Sequence, residues 1–123
     1  MKILAVGCGG FLGAVARYQI SLLIGSRLKT DFPLPTFIIN ITGAFILAFF
    51  MTLALDKFEI NPWWRLFFTV GFLGAYTTFS TFEYETFNLV TDSQFFLAFL
   101  NLFGSALAGI IAVWLGNTLA KLI

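Results

Sequence analysis

Residues 71–82, Gly71 to Phe82, read GFLGAYTTFSTF and lie inside an otherwise apolar stretch. Four of the six residues from Thr77 to Phe82 carry a hydroxyl, and the other two, Phe79 and Phe82, are three apart. Gly71 and Gly74 precede them. A lipid-facing helix has no use for this polarity, because unsatisfied polar groups in hydrocarbon cost several kcal/mol. Interrupted, hydroxyl-bearing backbone at membrane depth is tolerated where it is buried in protein or lines an ion path. The segment is thus the expected weak point of a membrane helix and the candidate functional site.

Outward from it, the chain is apolar throughout. Of 123 residues, 59% are hydrophobic and 11% charged, against about 25% charged in a soluble domain. Mean hydropathy is +0.94. This composition predicts an all-α integral membrane protein. The length allows one domain, 1–123, of four spans at about 20 residues each. A net charge of +1 gives no basic surface for nucleic acid. With no histidine and a single cysteine, neither a His/Cys metal site nor a disulfide framework fits within one chain. The opening MKILAVGCGGFLGA has an apolar run, Ile3 to Val6, too short for a secretory leader, so the first span is expected to stay.

The spans are expected at about Lys2–Ile24, Pro35–Leu55, Pro62–Val90 and Gln94–Leu119. Pro35 and Pro62 suit first helical turns, where a missing N–H is harmless. Trp63, Trp64 and Arg65 form an interfacial anchor. Thr91-Asp92-Ser93 is a turn expected to supply the cap of the last span. Short loops make adjacent spans antiparallel and put both termini on one side. Lys2, Lys57, Arg65 and Lys121 then face Arg27 and Lys29 across the membrane. That bias is small, and permits either insertion in both orientations or a single one with the termini inside.

Gly9 and Gly13 form a GxxxG pair, and Gly104, Ala108, Ala112 and Gly116 a small-residue stripe. Both predict close helix packing. Four helices leave little interior for a polar pathway, which points to an oligomer. Among the polar residues within spans, Asn40 either bonds a neighbouring helix or serves the site. Asn101 and Ser105, at i and i+4, share a face as an anion track or as helix glue. Arg17 is expected to attract an anion, to snorkel, or to pair with Glu83 or Glu85. Those two glutamates point to different faces, so they are no acid/base pair. Phe79 and Phe82 share a face, and an aromatic ring has a positive edge that can meet an anion without trapping it.

These motifs resemble the Fluc (CrcB) fluoride channel family. GFLGAYTTFSTF resembles that family's third-helix motif, GGFLGAVARY (Gly9 to Tyr18) its first-helix motif, and Asn40-Ile41-Thr42-Gly43 the NxxG of its second helix. Pro35, Ala44, Glu83 and Asn101 depart from the common pattern. The resemblance implies a multi-pass protein of the inner (plasma) membrane, with a third helix broken near its middle. It further implies a dual-topology antiparallel homodimer with two pores for passive fluoride export, and no enzymatic step. By the same resemblance, backbone carbonyls of Gly74 and Thr77 from each subunit hold a central structural Na⁺. Phe79 and Phe82 line the fluoride path, with Asn40, Thr78, Thr81 and Ser105 beside it. Two other classes are a proton-coupled small multidrug resistance type transporter and an assembly subunit of a membrane complex. The first needs a carboxylate in span one, which holds Arg17 and no acid. The second leaves the Thr, Ser and Asn cluster without a use.

Overall fold

A first helix, α1, runs Lys2–Arg27, three residues past its expected end, with basic Arg27 in its last turn, where the helix dipole favours a cation. The computed structural model describes Met1–Ile123 and contains helices and no strand. α2 spans Leu34–Lys57, α-helical over Leu34–Thr52 and π-helical over Leu53–Lys57. α3, residues 62–76, is built from Pro62–Leu66, a π-helical Phe67–Leu73 and a last turn Gly74–Tyr76. Pro62 does open it, and the Asn61 Oδ1 accepts from the Trp63 N–H at 3.0 Å as its cap. After an interruption the chain resumes as α4, Ser80–Thr91. α5 spans Phe95–Leu122, π-helical over Leu100–Gly104.

The turn before α5 corrects one expectation. None of Thr91, Asp92 or Ser93 caps α5, which starts after Gln94 without a side-chain cap. Those residues close α4 instead: the Gln94 N–H reaches the Leu89 carbonyl at 2.8 Å and the Ser93 N–H that of Val90 at 3.1 Å. Ser93 takes φ 59°, the left-handed position of a Schellman close. The backbone demand of the preceding helix's end outweighed the hydroxyl's preference for a helix start.

α1, α2 and α5 are each long and apolar enough to cross a membrane, and α3 and α4 supply the divided remaining span. Contacts fix their directions. Asn40 meets Thr78, Thr36 meets Glu85 and Phe50 meets Phe68, so α2 runs antiparallel to α3–α4. Thr52 bonds Asn117 and Lys57 reaches the Lys121 carbonyl, so α2 and α5 run parallel. Three glycines hold α1 against α3 and α5 against α2. A Cβ on Gly9 or Gly13 would strike the carbonyl oxygen of Phe67 or Phe72, so both lock α1 onto α3. Gly116 meets the Phe45 carbonyl of α2 in the same way, with Ala112 and Ala120 buried along that face. The GxxxG pair of α1 and the Ala112–Gly116 half of the α5 stripe therefore serve packing, whereas Gly104 meets only Leu100 of its own helix. The core is thin: Ile39, Leu73 and Tyr76, flanked by Ala16, Ile20 and Phe72.

Candidate functional site

The site forms where α3 stops and α4 starts. Tyr76 ends the helical geometry and Thr77 swings to φ −79°, ψ 156°, an extended conformation. Its N–H and its Oγ1 both still donate to the Leu73 carbonyl, at 3.1 and 3.0 Å, so the last turn is tied off at this residue. The third span is thus broken near its middle, at 77–79, as the resemblance to the channel family implied.

Asn40 of α2 takes over the next peptide. Its Nδ2 donates to the Thr78 carbonyl at 3.0 Å, and its Oδ1 accepts from the Thr78 N–H at 2.9 Å. The close approach depends on Gly43, where a Cβ would strike the Thr77 methyl group. Both polar groups of Thr78 are therefore satisfied from another helix. The carbonyls of Gly74, Ala75 and Thr77, by contrast, accept no hydrogen bond. Gly74 and Thr77 border an open pocket of about 360 Å³ together with Asn40, Thr78 and Phe79.

Beyond the break, the Thr78 Oγ1 donates to the Thr81 Oγ1 at 3.1 Å and accepts from the Thr81 N–H at 3.4 Å. These two threonines line a second pocket, of about 240 Å³, with Arg17, Tyr18, Ser21 and Thr36. Thr78 borders both pockets. Phe79 and Phe82 have ring centroids 6.1 Å apart at 43° to each other. Phe79 is 75% exposed, so its ring stands free on the surface of the single chain beside the break.

Asn40, Phe79, Phe82, Thr78, Thr81, Gly74 and Thr77 are thus brought to one locus. Ser105 lies apart from it. Its Oγ donates to the Asn101 Oδ1 at 3.3 Å, and the Asn101 Nδ2 donates to the Thr86 Oγ1 at 2.8 Å. Thr86 in turn donates to the Phe82 carbonyl at 2.8 Å, so this chain of contacts ties α5 to the backbone of Phe82. Asn101, only 1% exposed, sits in the π-helical turn of α5. Thr86 went unremarked in the sequence, although its i+4 spacing from Phe82 marks it as a neighbour on that face.

Arg17 forms no ion pair with Glu83 or Glu85. Glu83 is exposed, and the Glu85 Oε1 accepts from Thr36 at 2.9 Å while its Oε2 is buried without a partner. The Arg17 guanidinium is left to the small polar pocket beside Thr78 and Thr81. Glu85 also borders an open pocket of about 600 Å³ formed by the α1–α2 loop, with Asn88 and Asp92. The Thr36–Glu85 bond was not foreseen, because 49 residues separate the partners and only the antiparallel packing of α2 joins them.

The sequence matches known proteins over nearly its whole length. Residues 4–117 match the family model described as CrcB-like protein, Camphor Resistance (CrcB). The chain is 51% identical over 117 residues to a protein of Acidobacterium capsulatum called fluoride-specific ion channel FluC, covering 94% of this chain and 93% of that one. It is 42% identical over 121 residues to one of the same name from Solibacter usitatus, covering 98% and 99%. A protein of the same name from the archaeon Pyrococcus abyssi is 43% identical over 113 residues, covering 92% and 90%.

Proposed function

Because this chain belongs to the CrcB family, we propose that it is a fluoride-selective ion channel that lets fluoride leave the cell passively across the inner (plasma) membrane. The observation that carries the reading is the broken span: Asn40 fastened to Thr78, unpaired carbonyls on one side and the Phe79–Phe82 pair on the other. Fluoride is small and strongly hydrated, so a pore has to replace its water with donors. Asn40 keeps one N–H beyond the bond to Thr78, and beside it the Thr78 hydroxyl donates to that of Thr81, whose own O–H stays free to donate. Phenyl edges add positive potential without a full charge. A narrow, donor-lined path of this kind disfavours the larger chloride. Ser105 enters through its contact with Asn101, on the Phe82 side of the break.

The exposed Phe79 ring and the unpaired carbonyls of Gly74 and Thr77 support an antiparallel, dual-topology homodimer with two pores. Carbonyl oxygens are the ligands a hard cation prefers, and two per subunit from two subunits fit one central Na⁺. That ion would supply fixed positive potential and hold the two breaks together. No bond is made or broken, so the protein is not an enzyme. A small multidrug resistance type transporter lacks its first-span carboxylate here, and an assembly subunit gives the unpaired carbonyls no use.

Purified protein in liposomes is expected to release fluoride rapidly, read with a fluoride electrode, without chloride leak and with little dependence on pH. Verified, folded protein that passes no fluoride would overturn the reading.

A further inference from the structure

We infer that Asn40 is the positioning residue that keeps the third span broken, and that by doing so it readies the cation ligand and the pore segment together. The inference rests on the proposed channel reading and assigns Asn40 a task besides offering a donor to fluoride.

In an unbroken α-helix the Thr78 N–H would bond the Gly74 carbonyl, and the Phe82 N–H would bond the Thr78 carbonyl. Neither bond exists here. Asn40 supplies both substitutes, accepting from the Thr78 N–H at 2.9 Å and donating to its carbonyl at 3.0 Å. A carboxamide carries the same adjacent donor and acceptor as a peptide group, so it can satisfy Thr78 completely. Two consequences follow in opposite directions along the chain. Upstream, Gly74 keeps a free carbonyl; downstream, Phe82 keeps a free N–H. One side chain thus unpairs an acceptor on α3 and a donor on α4.

The break needs this help. Inside a bilayer, an unpaired peptide is costly except where it lines a polar cavity. Without Asn40, re-forming the helix satisfies both polar groups of Thr78 within the chain, and it buries the Gly74 carbonyl in a hydrogen bond. Asn40 can reach Thr78 because it sits on a continuous helix and because Gly43, almost one turn on, lets Thr77 lie against α2.

The test compares wild type, Asn40→Leu and Asn40→Asp in nanodiscs. Backbone carbon shifts of Thr77 and Thr78 report the break directly by NMR. The sodium concentration that half-protects against thermal unfolding, with N-methylglucamine as the replacement, reports the cation ligands. Asn40→Leu should move both shifts to helical values and raise the sodium midpoint about tenfold or more, as loss of two hydrogen bonds implies. Phe79→Ala, which leaves the lock intact, should lower fluoride flux with both readouts as in wild type. Extended shifts and an unchanged sodium midpoint in Asn40→Leu would overturn the inference. Should that variant not fold, Asn40→Asp decides: it keeps the acceptor but not the donor, so the Thr78 carbonyl shift should move while its amide stays protected. An unmoved Thr78 carbonyl in that variant, read at a pH where the aspartate is ionised, would also overturn it. Absence of fluoride flux in wild type would defeat the channel reading alone, since the shift comparison needs no transport.

Discussion

Phe79 shows what a single residue gains from its setting. With 17 phenylalanines in the chain, two at helical spacing say little by themselves. Placed at the break and in the first turn after it, with one ring 75% exposed and its neighbour 6.1 Å away, they form the aromatic pair of the proposed pore. Phe79→Ala and Phe82→Ala should each lower fluoride flux in liposomes by about tenfold or more, a barrier change of about 1.4 kcal/mol. If both kept wild-type flux, the edge-on account of the pore would be wrong. Asn40 was legible as an intramembrane amide in need of a partner, but the partner was not, because the bond to Thr78 spans 38 residues and only the crossing of two helices makes it. Arg17 teaches the reverse lesson: an intramembrane cation invites the nearest carboxylate on paper, yet the fold gives Glu85 to Thr36 instead.

At the scale of elements, prolines and glycines were the most readable marks. Pro62 starts α3, and Gly9 and Gly13 press α1 against the carbonyls of α3. Gly13→Leu should therefore destabilise the folded protein by about 1–3 kcal/mol or more, as forced overpacking does, seen as a lowered melting temperature in detergent. Gly7, with nothing within 4 Å of an added Cβ, is the control. Gly7→Ala should leave the melting temperature unchanged or slightly raised, since alanine is the better helix former by about 1 kcal/mol. Equal damage from both substitutions would refute the packing role assigned to the first-helix motif. The π-helical stretches of α2, α3 and α5 had no advance sign in the sequence. Asn101 occupies one such stretch and finds Thr86 from there.

For the molecule as a whole, exposure is the governing quantity. Only 15 of 123 residues are buried, and large hydrophobic side chains stand exposed along every span, so lipid or a second copy has to cover them. With four cations on one side against two on the other, the charge bias is small and permits insertion in both orientations or in one. In a variant with Cys8 replaced by serine, single cysteines placed near either terminus should be labelled from both faces of the membrane in comparable amounts. Labelling from one face only would exclude dual insertion, and with it the antiparallel dimer. The membrane class, the spans to within a few residues and the place of the break were determined by the sequence itself. Composition, proline placement and polarity in a hydrocarbon setting are local properties that no fold can overrule cheaply. What only the tertiary structure decided was the pairing: Asn40 with Thr78, Thr36 with Glu85, and Asn101 with Thr86. Those bonds join residues 15 to 49 positions apart, and a polar group in a bilayer takes whichever partner helix packing brings within about 3 Å.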